Sequence, residues 1–341
     1  MRLDGYHKIR IYLVAVLKID LKITDMRKLS FGLTLFFGWI SGIAIGQEIE
    51  LFSLSAMEYN ENEKVFLVSL SEIYPLSEHP DSSAIPDIGD WEMLDANTIV
   101  LDSIYRQRFF ARTGLLLTER LIVYDYVNNI SASFPLNTLR LVACLNIYAG
   151  SDDWPYSQYE YMIGFELEPS ALANFNPFFY QTFVYLGSSD PFAHQPLKPI
   201  HWSLVDKLNL PKSKMMKAQK TILKNHTCGN KYVFEENGFK YMIQEYLFEA
   251  NLNARRMVIE DIKTKKIVCE RFFRDSEGAS LAPLNYTDLE NMLQIDQWTG
   301  VLFKDKPPVV FGFLYQSFGC PAITFLNATM EDVYIRCDNR H

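Results

Sequence analysis

The sequence predicts a mainly β fold with a few short helices, arranged either as a propeller-like ring or as two related β units, with a pair of β-sandwiches as the alternative. Short apolar runs bounded by turn residues, and hairpin patterns at two places, are the observations that predict it. Aromatic residues make up 14% of the chain and charged residues 22%, which is the composition of a folded protein rather than a disordered one.

An internal segment near the start of the chain has the features of a secretory signal peptide. Met26, Arg27 and Lys28 precede an uncharged apolar run at 29–45, and small residues lie just before Gln47. If the run stays uncleaved, it is a signal anchor that would hold a short cytoplasmic arm behind it. Both interpretations export the rest of the chain to the periplasm, the cell surface or the extracellular space.

The domain organisation follows from this leader and from the spacing of the predicted strands. We expect a spurious upstream extension or a cytoplasmic arm at 1–25, a signal peptide or anchor at 26–46, an N-terminal β unit at 47–195, a helical linker at 196–230 and a C-terminal β unit at 231–341.

The predicted strands are short apolar runs, as is usual for strands that are buried in a sheet. In chain order they lie at 64–70, 98–101, 121–126, 130–134, 161–166, 256–262, 267–273, 309–314 and 333–337. The segment 74–90 contains three prolines, at 75, 80 and 86, and is predicted to be a loop.

Two pairs of these strands are predicted to form hairpins. The first turns at Asn128 and Asn129, since asparagine tolerates the left-handed conformation that tight turns need, and the second turns at 263–266. Both show an apolar run, an aspartate and an apolar residue before the turn. That shared pattern indicates either a duplication relating 95–190 to 230–325 or the ordinary sequence preference of hairpins.

Two segments have helical spacing instead. One is 204–225, where we expect an amphipathic helix to begin after Pro211. The other is 286–298, where Thr287 and Glu290 match a capping box.

The 5 cysteines are an odd number for an exported protein. Cys320 and Cys337 are the pair that we expect to be bridged, and Cys228 with Cys269 is a second guess. Cys144 lies in an apolar run and is predicted to be a small buried residue. All five could also be reduced, and we expect no metal site, because no set of three or four ligands has metal-binding spacing.

The motifs of several enzyme classes are missing from the sequence, including GxSxG, HExxH, the P-loop and GxGxxG. We therefore expect no cofactor. A hydrolase with a pair of carboxylates stays open, and Asp275, Glu277 and Asp296 are the catalytic candidates, since each lies beside a predicted turn.

The C-terminal third contains several distinctive sequence motifs. They are Trp298-Thr299-Gly300 with Leu302-Phe303-Lys304, then Lys306-Pro307-Pro308-Val309-Val310-Phe311-Gly312-Phe313, Ser317-Phe318-Gly319-Cys320-Pro321 and Cys337-Asp338-Asn339-Arg340-His341. These motifs resemble those of uncharacterised exported proteins of Bacteroidetes-type bacteria. The resemblance implies export but no activity, cofactor or site residue.

The function that the sequence favours is a periplasmic or cell-surface binding module for carbohydrate or protein, with a secreted hydrolase as the alternative. A net charge of −8 argues against nucleic acid as a partner, because phosphate contacts need clustered Lys and Arg. A membrane would be a partner only if 29–46 stays uncleaved. The candidate binding residues are aromatic side chains that we expect to be exposed: Trp154, Tyr156, Tyr159, Trp202 and Trp298.

Overall fold

The computed structural model describes residues 49–60, 63–176, 179–212, 217–285, 295–317 and 319–338. Residues 49–341 form one compact unit. In the part of the chain that is described, no helix is both long and apolar enough to cross a membrane. The predicted leader at 26–46 and the segment before it lie outside the described residues.

Strands are the main regular structure of the described residues. In chain order the strands are β1 (Leu51–Phe52), β2 (Ser55–Asn60), β3 (Glu63–Ser69), β4 (Thr98–Val100), β5 (Arg120–Asp125), β6 (Ile130–Pro135), β7 (Arg140–Leu145), β8 (Tyr161–Leu167), β9 (Thr182–Gly187), β10 (Lys198–Pro199), β11 (Ser203–Leu204), β12 (Thr227–Glu236), β13 (Phe239–Phe248), β14 (Asn251–Asp261), β15 (Ile267–Arg274), β16 (Ala279–Leu281), β17 (Trp298–Gly300), β18 (Val309–Phe311), β19 (Leu314–Gln316), β20 (Ala322–Phe325) and β21 (Val333–Arg336). The α-helices of the same residues are α1 (Ser103–Thr113) and α2 (Lys217–Ile222).

The strands form four sheets, of which the largest joins distant parts of the sequence. It has 9 strands in the order β10-β17-β18-β20-β21-β1-β9-β5-β6. The others are β2-β3-β8-β7-β4, β11-β12-β13-β14-β15 and the pair β16-β19. The predicted mainly β class is therefore confirmed, whereas the four-stranded blades of a propeller are not shown. The boundaries at 195 and 231 stay a prediction, although strands from both sides of them lie in the nine-stranded sheet.

The apolar core has three main parts, and the nine-stranded sheet contributes to all of them. One part lies between β5 and β9 on one side and the sheet of β2, β3, β8, β7 and β4 on the other, with Phe109 of α1 packed into it. The second lies on the opposite face of β5 and β9 and includes residues of β17, β18, β20 and β21. Because both halves of one sheet contribute to this cluster, the sheet must curve around it. The third part lies between β18 and the strands β12 to β15.

The alternation of side chains along a strand explains how β18 serves two of these clusters. Val309 and Phe311 point into the second cluster, while Val310 points into the third. All three are buried, so β18 has a continuous apolar sequence rather than an alternating one.

Both predicted hairpins are confirmed, as β5–β6 and β14–β15. The aspartate that they share has a local role in each turn. Asp125 accepts hydrogen bonds from the backbone N–H groups of Val127 (2.9 Å) and Asn128 (3.0 Å), and Asp261 accepts one from the N–H of Thr264 (2.7 Å). The common pattern is thus explained by turn capping, without requiring a duplication.

The helix predicted after Pro211 is confirmed where the chain is described. Lys217–Ile222 is α-helical and Leu223–Asn225 continues it as a 3₁₀ turn, with residues 213–216 outside the description. Most of the second predicted helix, 286–294, also lies outside the described residues. Its last residue, Trp298, begins β17, so the predicted end of that helix is wrong. The helix α1 was not predicted.

Cys320 and Cys337 form a disulfide in the structure, with their Cα atoms 5.6 Å apart. The bridge joins the segment before β20 to the end of β21, which is the predicted closing strand. Cys144 is buried, as expected. Cys228 is free and exposed, and Cys269 is free and buried, so the second predicted disulfide is wrong.

Removing this disulfide should destabilise the protein. The bridged cysteines are separated by 17 residues, and closing a loop of this length in the unfolded chain is worth about 3 kcal/mol in the chain-entropy account. We expect Cys320→Ser to lower the free energy of unfolding in urea by up to that amount. Cys228→Ser is the matched control, because its thiol is free and exposed. Equal unfolding midpoints for wild-type protein with and without a reductant would contradict the prediction.

Candidate functional site

A cleft lies between the nine-stranded sheet and the strands β15 and β19, and we call it the intersheet cleft. Its volume is about 550 Å³, which is within the range of small-molecule sites. Side chains from β9, β15, β18, β19, β20 and β21 line it, together with Tyr126 and the segment before β17. It therefore combines residues from distant parts of the chain.

The walls of the intersheet cleft are largely aromatic. The ring of Tyr126 stacks on that of Phe183, with centroids 4.8 Å apart, and meets Phe311 edge-on at 5.2 Å. On the other side, Phe273 and Phe313 stack in parallel with centroids 4.9 Å apart. Such paired rings hold one another in place, and because Tyr126, Phe183, Phe311 and Phe313 are only 3–7% exposed, a small part of each ring borders the cleft.

One end of the cleft is formed by Asp296 and three tyrosines. The hydroxyl of Tyr315 donates a hydrogen bond of 2.8 Å to Oδ2 of Asp296. Burial, and after it the negative charge of Asp296, raise the pKa of Tyr126 and of Tyr180. Burial and the hydrogen bond to Asp296 raise the pKa of Tyr315. The three phenols therefore stay protonated near this carboxylate, and that of Tyr315 donates a hydrogen bond to it.

The position of Asp296 is fixed by a pair of buried amides. Gln297 is fully buried, and its Nε2 donates to the carbonyls of Pro283 (2.8 Å) and Gly312 (2.9 Å), while its Oε1 accepts from the N–H of Asn285 (2.9 Å). Oδ1 of Asn285 accepts in turn from the N–H of Asp296 (3.2 Å). Because buried amides are costly to leave unpaired, this network holds the backbone at Asp296 in one place.

Gly312 allows the backbone of this region to come close together. Its φ is +90°, and a Cβ atom placed on it would lie 1.8 Å from the carbonyl oxygen of Asp296. The predicted strand 309–314 is interrupted here, ending as β18 at Phe311 and resuming as β19 at Leu314. The break turns Tyr315 toward Asp296.

The other charged group of the cleft is an ion pair. Nη2 of Arg271 on β15 lies 2.6 Å from Oδ1 of Asp332, just before β21. Both side chains line the cleft and are partly exposed. The pair links the two sheets.

Asp296 is the only one of the three sequence-derived catalytic candidates that lines this cleft. Asp275 instead accepts a hydrogen bond from the N–H of Leu281 (2.7 Å) and stabilises the turn before β16. Glu277 is exposed in that turn. Neither contributes to the cleft lining, so the three acids are not brought together.

The aromatic residues that we expected to be exposed are mostly in the core, and for those the expected exposure is wrong. Trp202 is 0%, Trp298 4% and Tyr156 6% exposed. Trp154 is partly buried against the first core cluster, and Tyr159 is exposed at 44%. Large aromatic rings are driven into the core by the apolar area that they bury. Trp298 still supports the cleft, since its ring meets that of Tyr126 edge-on at 5.5 Å.

The residues that sequence reasoning missed are Tyr126, Tyr180 and Tyr315. No local pattern marks them, because they belong to three segments that are distant in the sequence. Tyr126 directly follows the hairpin aspartate Asp125, and Tyr315 follows the glycine break, but neither spacing indicates a site.

A second recess, of about 640 Å³, lies beside β4 and β7. Its lining includes Leu94 and Ile147, which are 75% and 78% exposed, and Arg140, whose guanidinium pairs with Glu166 at 2.7 Å. No aromatic ring lines it among the described residues. It offers less for recognising a small ligand than the intersheet cleft does.

Glu72, Cys320 and Cys337 are the one group of three potential metal ligands that lie close together among the described residues. The two sulfurs are joined in the disulfide, and a thiolate is the form of cysteine that binds metal. The oxidised protein therefore offers only the carboxylate of Glu72 at this place.

Comparisons with protein-family models, with curated proteins and with solved structures found no match for this chain.

Proposed function

We propose that the protein is an exported binding protein that holds a small organic ligand, of which carbohydrate is the class we favour, in the intersheet cleft. The observation that carries the proposal is the combination of rigid aromatic walls with a carboxylate and three phenols at one end. A sugar ring has an apolar face that packs on aromatic rings and hydroxyls that hydrogen-bond to polar groups. The cleft supplies both kinds of contact within about 550 Å³.

Export is part of the proposal and is supported by two features. One is the apolar segment at 29–45 behind Arg27 and Lys28, which has the order of parts of a signal peptide. The other is the disulfide between Cys320 and Cys337, since such bridges persist mainly in oxidising compartments. The periplasm and the cell surface are the locations that fit both.

A small ligand is favoured over a protein partner because of the shape of the site. Protein interfaces of standard size bury about 800 Å² per partner and are comparatively flat. The intersheet cleft is concave, and its lining combines aromatic residues with a few polar groups.

A hydrolase is the second candidate, because both Asp296 and Asp332 line the cleft. Hydrolysis of a glycoside needs one carboxyl group that can donate a proton and a second carboxylate. Asp332 is paired with Arg271 at 2.6 Å, so its carboxylate is already engaged by a cation. The binding function needs no such proton donor and is therefore better supported.

The proposal is tested by titrating the mature protein with a panel of neutral and amino oligosaccharides in a calorimeter. We expect saturable binding by members of the panel, and a loss of about tenfold or more in affinity for Tyr315→Ala, because this ring borders the cleft and binds Asp296. Tyr334→Ala is the matched control. Tyr334 is 62% exposed on β21 and does not line the cleft, so its loss should leave the affinity unchanged.

Two results would overturn this assignment. One is the absence of saturable binding across the whole panel. The other is an equal effect of Tyr315→Ala and Tyr334→Ala, which would place the binding site outside the intersheet cleft. Release of reducing sugar during the titration would instead favour the hydrolase.

A further inference from the structure

The charges that line the intersheet cleft are not balanced. The described lining contains the carboxylates of Asp296 and Asp332 and one cation, Arg271. Arg271 forms an ion pair with Asp332, at 2.6 Å. The ion pair is close to neutral, so the net negative charge of the lining is concentrated at the Asp296 end.

The groups that line the cleft around Asp296 are polar and aromatic. Tyr126, Tyr180 and Tyr315 supply neutral hydroxyls, and the rings of Tyr180 and Tyr315 are 49% and 42% exposed. The negative charge of Asp296 acts on all three tyrosines, since it contributes to the raised pKa of each phenol. A carboxylate beside tyrosine rings is an environment that attracts an ammonium ion, through the ion pair and through cation–π contacts.

We infer that the ligand of the intersheet cleft carries an ammonium group that binds beside Asp296, so that the ligand is an amino sugar rather than a neutral one. The inference rests on the proposed carbohydrate-binding function and narrows its ligand class.

The chemistry of each group fits this assignment. An ammonium group has three N–H donors and no acceptor, so one donor can reach the carboxylate of Asp296. The tyrosine oxygens can accept from the remaining donors while their own hydrogens point to Asp296, as that of Tyr315 does at 2.8 Å. A hydroxyl at the same position of a neutral sugar would form a hydrogen bond with Asp296 but no ion pair. The overall charge of −8 also favours the approach of cationic ligands.

The test compares two disaccharides that differ only in this group. They are the β-1,4-linked dimer of glucosamine and cellobiose, in which hydroxyls replace the two amino groups. At about pH 6 the amines are protonated, and titration calorimetry of the mature protein gives both affinities. We expect the glucosamine dimer to bind about tenfold to a hundredfold more tightly, which is the range for a hydrogen bond with a charged partner.

Substitution of the carboxylate tests the position of the ammonium group. Asp296→Asn should abolish the preference for the glucosamine dimer, so that the two disaccharides bind with affinities within about threefold of each other. Asp152→Asn is the control for the change in net charge, since Asp152 is exposed and outside the cleft lining. Thermal unfolding of each variant establishes that it is folded.

The outcomes separate this inference from the function on which it rests. Equal affinities for the two disaccharides, or a preference that survives Asp296→Asn, would overturn the ammonium site while leaving carbohydrate binding in place. Binding of neither disaccharide, with binding of another neutral member of the panel, would also overturn it. Failure of the whole panel would overturn the proposed function as well.

Discussion

Arg255→Ala should lower the free energy of unfolding by about 3–5 kcal/mol, because it leaves a buried carboxylate without its counter-ion. Glu245 on β13 and Arg255 on β14 are directly opposite each other, and the Nη2–Oε1 distance is 3.1 Å. The two residues are only 6% and 4% exposed. Arg255 also donates to the backbone carbonyl of Ala282, which would lose this donor.

The expected loss of stability comes from breaking the Glu245–Arg255 ion pair and not from removing a charge as such. In the double variant Glu245→Leu with Arg255→Met no charge is left unpaired, so we expect it to regain most of the lost stability. The measurement is a double-mutant cycle by urea unfolding. Lys240→Met provides the surface control. Lys240 pairs with Glu235 at 3.1 Å, but the two side chains are 34% and 55% exposed, so its loss should cost less than about 1 kcal/mol.

A result that contradicts this prediction would be an equal loss for Arg255→Ala and Lys240→Met. It would mean that water reaches Glu245 in the native protein. The sheet that contains β13 and β14 would then be less tightly packed against its neighbours than the burial of Ile243 and Met257 indicates.

The hairpins could be predicted from the sequence because their signals are local. An apolar run, an aspartate and a turn of asparagines are all found between 121 and 134, and they determine β5, β6 and the turn without reference to the rest of the chain. The same holds for β14 and β15.

The helix α1 was missed because polar side chains of this helix face the protein. Nη1 and Nη2 of Arg106 donate to the carbonyls of Leu139 (2.8 Å) and Leu136 (2.6 Å), and Nη1 of Arg108 donates to that of Ser83 (2.9 Å). The helix buries only Phe109 fully, so its apolar stripe is short and marks the helix weakly in the sequence.

The candidate site could be predicted only in part, for a reason of topology. Asp296 was found because it lies beside Trp298 and a predicted turn. Its partners come from different sheets: Tyr126 and Tyr180 lie beside β5 and β9 of the nine-stranded sheet, whose strand order joins distant segments, and Tyr315 lies on β19 of the pair β16-β19. No pairing rule that can be read from one sequence gives that order.

Gly312→Ala should be the most damaging substitution in the site, with an expected loss of about 3–5 kcal/mol in the free energy of unfolding. The methyl group would lie 1.8 Å from the carbonyl oxygen of Asp296 and 2.6 Å from its carbonyl carbon, and both are backbone atoms that cannot rotate away. The φ of +90° adds a conformational cost for any residue with a side chain.

The matched control separates these two costs. Gly238, between β12 and β13, has a φ of +81°, and no described atom lies within 4 Å of the position that a methyl group would take there. Gly238→Ala should therefore cost only the conformational part, about 1–2 kcal/mol. Urea unfolding of both variants gives the difference, which measures the close approach at Asp296.

Ligand binding should distinguish the two variants more strongly than stability does. To relieve the contact, the segment at Asp296 must move away from Gly312, and the 2.9 Å hydrogen bond from Gln297 Nε2 to the Gly312 carbonyl must break. Asp296 would then no longer meet Tyr315, so the affinity of Gly312→Ala for its sugar should fall about tenfold or more under conditions where it is folded. Gly238→Ala should bind as the wild-type protein does. If the two alanine variants lost equal stability and bound equally well, the backbone at Asp296 and Gly312 would not be in contact, and the geometry of the cleft would have to be revised.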